Sequence, residues 1–133
     1  MKSTNPITLG IIILLAVIFF HTNVYANKSQ VFQNKADSTM QVDAGSEFQI
    51  QIPSNPTTGF SWHLGGISDT NIVVFFQTVY NDPAAVIPGK GGTETWTFKA
   101  KISGTAVITL NYSREWEKDA APAITETYTI NVK

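Results

Sequence analysis

The sequence predicts an all-β sandwich of about seven strands. Three observations carry this. Short segments of alternating apolar and polar residues recur along the chain, turn-forming residues separate them, and after residue 26 no stretch combines a helical period with capping residues. At 133 residues the chain is expected to hold one domain.

The elements follow in order. An early piece, either "QVFQ" or "STMQV", supplies a first strand. "EFQIQIP" alternates, with Phe48, Ile50 and Ile52 on one face. "FSWHL" places Phe60, Trp62 and Leu64 together. "NIVVFFQTVY" is a longer apolar run, which predicts a strand covered on both faces over part of its length. "TETWTFKAK" turns Trp96 and Phe98 inward, with Thr95, Thr97 and Lys99 outward. "TAVITLNY" groups Ala106, Ile108, Leu110 and Tyr112, and "ITETYTINVK" groups Tyr128, Ile130 and Val132.

The first 26 residues read differently. Ile7 to Phe20 is an apolar run, and Val24 and Ala26 hold the small-residue positions of a cleavage site, so residues 1–26 are read as a signal peptide and residues 27–133 as the mature domain. The run is short against the roughly 20 apolar residues of a membrane span, an uncleaved anchor being the alternative. This predicts entry to the secretory route and a secreted, periplasmic or endolysosomal protein. No cysteine follows the run, which excludes a lipid anchor on cysteine.

Composition narrows function by exclusion. With no cysteine, packing alone holds the domain, and thiol catalysis, thiolate metal sites and redox roles are removed. Nine basic and ten acidic residues give a net charge of −1 with no basic stripe, which argues against nucleic-acid binding. His63 is the sole histidine of the mature part, so neither a metal site nor a cofactor is expected. No nucleophile elbow and no paired carboxylates accompany it, and the chain is read as a non-enzyme with an isolated outward-facing histidine.

Strand parity gathers the unusual chemistry. If each strand crosses the sandwich once, "DAGS", "GGISDTN" and "SG" fall at one end, and "SNPTTG", "NDPAAVIPGKGG" and "SREWEKDAAP" at the other. Three elaborated loops at one end predict a binding edge. In the first, Pro56 fixes φ and biases Asn55 toward an extended conformation, Thr57 and Thr58 are stiff, and Gly59 can take positive φ to return the chain to Phe60. Such a preorganised tip loses little entropy on binding. In the second, Gly89, Gly91 and Gly92 around Lys90 permit close backbone approach, without the spacing or following helix of a phosphate cradle. In the third, Trp116 stands among Arg114, Glu115, Glu117 and Lys118, and Trp and Arg are enriched at binding hot spots. Taken singly, each stretch also fits a plain role: an ordinary turn, a flexible hairpin tip, a tryptophan folded over the sandwich edge.

Together, "NPTTGF" at 55–60, "GKGG" at 89–92 and "REW" at 114–116 resemble, in order and spacing, the three loop motifs of the chagasin-like inhibitors of cysteine peptidases, and "GFSW" and "GGTETWTFKA" are similar too. The resemblance spans essentially the whole mature chain. It implies an immunoglobulin-like sandwich that reversibly inhibits papain-like, cathepsin L-like cysteine peptidases; a monomer is expected because nothing in the sequence demands more. It places Asn55, Pro56, Thr57, Thr58 and Gly59 toward the peptidase's catalytic Cys and His, with Phe60 also in the binding surface, and Gly89, Lys90, Gly91 and Gly92 along the substrate-binding side. Arg114, Glu115 and Trp116 would then reach the other side. Glu115 departs from the family's usual proline, and is expected to leave the third loop looser and more negative. The competing class is a secreted immunoglobulin-like adhesion or ligand-recognition module using the same edge.

Overall fold

Period-two alternation sends the side chains of a strand to opposite faces, and a half-buried strand keeps its apolar set on one of them. A computed structural model describes residues 29–33, 38–85 and 87–133; the expected signal peptide lies outside the described residues. Eight strands form, β1 (Gln30–Gln33), β2 (Ser38–Val42), β3 (Glu47–Ser54), β4 (Phe60–Ile67), β5 (Val73–Asn81), β6 (Gly92–Ala100), β7 (Gly104–Arg114) and β8 (Ile124–Val132). They make two four-stranded sheets, in the orders β1-β3-β6-β5 and β2-β8-β7-β4. Both early pieces are used, one per sheet: β1 pairs with β3 and β2 with β8, each in parallel, while every other pairing is antiparallel.

The inward faces supply one core. Phe48, Ile50 and Ile52 of β3, Trp96 and Phe98 of β6, Ala106, Ile108 and Leu110 of β7, and Tyr128, Ile130 and Val132 of β8 are all buried in it. Phe48 stacks on Phe98 with ring centroids 5.6 Å apart. Each large side chain so buried contributes on the order of 1.5–3 kcal/mol, which is how a chain without disulfides holds together.

Three expectations require correction. β5 is an edge strand with β6 on one side only, so Phe75, Phe76, Val79 and Tyr80 are exposed and the strand is not covered on both faces. A register shift between Phe75 and Gln77 leans Phe75 on Trp96 and Phe98, while Lys99 lies 4.0 Å over the Phe76 ring. Leu64 shares the parity of Trp62 but is exposed, because β4 is the other sheet's edge and shifts register between Leu64 and Gly66. Thr97 points outward yet is buried: it sits between Gln49 of β3 and Gln77 of β5, and the Gln49 amide lies within 3.5 Å of its hydroxyl.

Connections alternate between the ends as parity requires. At one end Gly45 N–H donates to Ala100 C=O and Lys101 N–H to Ile72 C=O, tying together the β2–β3, β4–β5 and β6–β7 turns. The three longer loops lie at the opposite end.

Candidate functional site

The first loop is a single turn of 3-10 helix, Pro56–Thr58, entered from Asn55 and left through Gly59. Proline suits this first helical position because its missing N–H would have had no partner there. Thr58 N–H and Thr58 Oγ1 both donate to Asn55 C=O, at 3.2 and 2.7 Å. Thr57 Oγ1 donates to Asn55 Oδ1 at 2.6 Å. Gly59, at φ 78°, donates to Pro56 C=O and turns the chain into β4. The expected rigid tip is therefore built by internal hydrogen bonds centred on Asn55, and Pro56, Thr57 and Thr58 are left exposed at its apex.

The second loop docks on the first. Asn55 Nδ2 donates to Gly89 C=O at 2.9 Å. Gly89 and Lys90 complete a tight turn in which Lys90 N–H donates to Ile87 C=O, and both residues are exposed. At Gly91 a Cβ would stand 2.6 Å from Ser54 C=O, and at Gly92 it would stand 2.1 Å from Asn81 C=O. These two glycines thus serve the protein's own packing, letting the second loop lie against the first and against β5. Only Gly89 and Lys90 face outward.

The third loop flanks the first on the other side. The Trp116 ring lies over Gly59 and remains 68% exposed. The Arg114 guanidinium sits 4.4 Å over Phe60 and 5.9 Å from Trp116, within cation–π range of both rings. Phe60 in turn stacks on Tyr112, and Tyr112 packs on Trp62, so the loop's cation rests on an aromatic column rooted in the core. Glu117 N–H donates to Arg114 C=O, and Arg114 Nη1 pairs with Glu117 at 3.1 Å. Glu115 occupies the second position of that turn and is exposed. The expected looseness is offset: backbone bond and ion pair close the turn that a proline would have stiffened.

The thirteen residues singled out in the sequence thus converge on one edge, ordered second loop, first loop, third loop, with the first loop touching both neighbours. His63 stands on β4 beside the third loop, bordering a surface pocket with Arg114, Glu115 and Glu117, and Ser61 Oγ is 3.1 Å from its Nε2. Among the described residues no cluster of His, Asp and Glu is suited to a metal. Sequence reasoning missed the base of the loops. Glu94 is buried beneath them, accepting from Ser54 Oγ at 2.6 Å and from Trp96 Nε1 at 3.1 Å. Parity held the signal, since Glu94 shares the inward face of Trp96 and Phe98.

Known proteins resemble this chain in sequence and in fold. Chagasin from Trypanosoma cruzi is 38% identical over 82 residues, covering 59% of this chain and 74% of chagasin. Amoebiasin-2 from Entamoeba histolytica is 26% identical over 113 residues, 84% of this chain and 91% of that protein. The crystal structure of the Entamoeba histolytica cysteine protease inhibitor EhICP2 superposes with a TM-score of 0.64 at 25% identity, covering 78% of this chain and 94% of that one. The model of the chagasin family of peptidase inhibitors, I42, matches residues 41–132, and the chain, with its three loops on one edge of an immunoglobulin-like sandwich, belongs to that family.

Proposed function

We propose that this cysteine peptidase inhibitor blocks papain-like enzymes with its loop edge, the Asn55–Gly59 turn entering the active-site cleft and the other two loops seating on either side. The observation that carries this reading is the central place of the first loop, bonded to Gly89 on one side and covered by Trp116 on the other. A wedge needs its tip in the middle and rigid before contact, since ordering loops on binding costs affinity. The tip meets both requirements with neutral hydroxyl and backbone groups, and as a closed turn it does not offer the extended peptide that a peptidase cleaves. Gly89 and Lys90 supply one flank. Arg114 and Trp116 supply the other, the exposed indole being its aromatic anchor. Thr57 and Thr58 act through shape and hydrogen bonding and not as nucleophiles.

The export reading belongs to the same proposal. Ile7 to Phe20 and the Val24–Ala26 spacing support delivery to the secretory route with release of residues 27–133. The N-terminal sequence of the chain recovered from the medium or an endolysosomal fraction checks it, with Asn27 expected first.

The inhibition reading is tested by titrating residues 27–133 into papain and a cathepsin L-like peptidase with a fluorogenic substrate. Reversible, one-to-one loss of activity at nanomolar inhibitor is the expected result. Full activity at micromolar concentrations of the folded protein would overturn it.

A further inference from the structure

A carboxylic side chain buried under a binding edge and held there by two protein donors calls for a reason. Glu94 is 7% exposed, Ser54 4% and Trp96 4%. The two donors meet the two carboxylate oxygens separately, Ser54 Oγ on Oε1 and Trp96 Nε1 on Oε2. Taking a carboxylate out of water is costly, and an apolar side chain of similar size would serve a core equally well for stability alone. The placement is specific. In the β3–β6 ladder Ser54 stands opposite Gly92 and Ile52 opposite Glu94. Ser54 is the last residue of β3 before the first loop, and Gly92 opens β6 directly after the second. The Ser54–Glu94 bond is thus the last inward-facing tie before both loops leave the sheet, and the Asn55–Gly89 bond is the next one up. Trp96 fixes the carboxylate from below, itself packed against Phe75.

We infer that Glu94 is a positioning residue for inhibition. Its carboxylate clamps Ser54 and thereby sets the angle and spacing at which the first and second loops are presented, so that its removal weakens peptidase binding beyond any loss of stability. The inference rests on the loop-edge reading above for its effect on inhibition, though not for its effect on the loops themselves.

Two measurements are made on residues 27–133 carrying Glu94→Ala, Glu94→Gln and Ser54→Ala. The first is the inhibition constant against papain, with a thermal melt of each variant. Glu94→Ala leaves two buried donors unsatisfied and is expected to weaken inhibition about tenfold or more. Glu94→Gln, which keeps one acceptor oxygen, is expected to recover most of that loss, and Ser54→Ala to fall between them. Combined with Asn55→Ala, the Glu94→Ala effect should be clearly less than additive, because both act on the same pair of loops. Combined with Trp116→Ala it should be additive. The second measurement is amide hydrogen exchange, which needs no peptidase. Residues 55–59 and 87–92 should lose protection in Glu94→Ala while β7 and β8 keep theirs.

If the unsubstituted chain fails to inhibit papain but the exchange pattern appears, the loop-edge reading fails and the clamp stands as a device of the fold. If Glu94→Ala does not fold, Ser54→Ala and Glu94→Gln carry the test. Inhibition within twofold of the unsubstituted chain, with unchanged exchange in both loops, overturns the inference.

Discussion

Gly59 and Trp116 leave no room for a side chain between them: a Cβ on Gly59 would stand 2.5 Å from Trp116 Cη2. The glycine that lets the first loop return to β4 is also the floor on which the third loop's tryptophan lies. Gly59→Ala therefore acts twice. The positive φ costs about 1–2 kcal/mol for a residue with a Cβ, and the indole must move. Lower thermal stability, weaker inhibition and a changed Trp116 emission are expected together. Unchanged emission would show that the ring does not rest on Gly59.

Trp116 itself contributes little to the fold, being largely exposed. Trp116→Ala is expected to change stability by no more than about 0.5 kcal/mol while costing binding about 2 kcal/mol or more, roughly thirtyfold in the inhibition constant. A melt and an inhibition titration on the same preparation separate the two quantities. A large drop in melting temperature would reassign Trp116 to the core.

Asn55 holds the first loop to itself and to the second, accepting from Thr57 and donating to Gly89. Asn55→Ala keeps the main-chain carbonyl that serves Thr58 and deletes both side-chain bonds. A stability loss of about 1 kcal/mol is expected, with a larger loss in inhibition because two loops are released at once. Equal losses in both would mean that the link matters only to the fold.

Glu115 sits second in a turn already closed by the Arg114–Glu117 pair. Glu115→Pro is expected to raise stability by about 0.4–1 kcal/mol by restricting the unfolded chain, and to tighten inhibition modestly. A fall in melting temperature would mean that the backbone at 115 does not accept proline.

Tyr128 gives a signature at alkaline pH. Its phenol is buried and bonds to the Glu126 carboxylate; burial first, then that hydrogen bond and the carboxylate's charge, push its pKa well above the ordinary tyrosine range. The folded state thus holds the neutral phenol more firmly than the unfolded chain does. Its stability contribution is fully present below the unfolded pKa of about 10 and declines as pH rises beyond it. Denaturation midpoints measured from pH 8 to 11 should fall above about pH 10, and Tyr128→Phe should flatten that limb while removing the Glu126 bond.

The strands were legible because period-two patterning is local information, and β3, β6, β7 and β8 follow it closely. The binding edge was legible because parity fixes which loops share an end. What escaped was set by neighbours. The sequence "VVFFQTVY" reads as an interior strand, and only the sheet order shows that β5 has a partner on one side alone. Glycines 91 and 92 read as openings for a partner, but they are filled by Ser54, Asn55, Asn81 and Tyr80 from elsewhere in the chain. Glu94 could be placed inward by parity, yet its two donors, one of them forty residues away, became visible only when the ladder brought them together.

The position of β8 constrains how the molecule is made. This strand leaves the ribosome after the other seven described strands, yet it lies inside its sheet, between β2 and β7. Until residues 124–132 have emerged, β2 has no strand to pair with and β7 lacks one of its two neighbours, so the layer cannot close before β8 has been made. The third loop, strung between β7 and β8, can take its shape against Gly59 only once that last pairing is made.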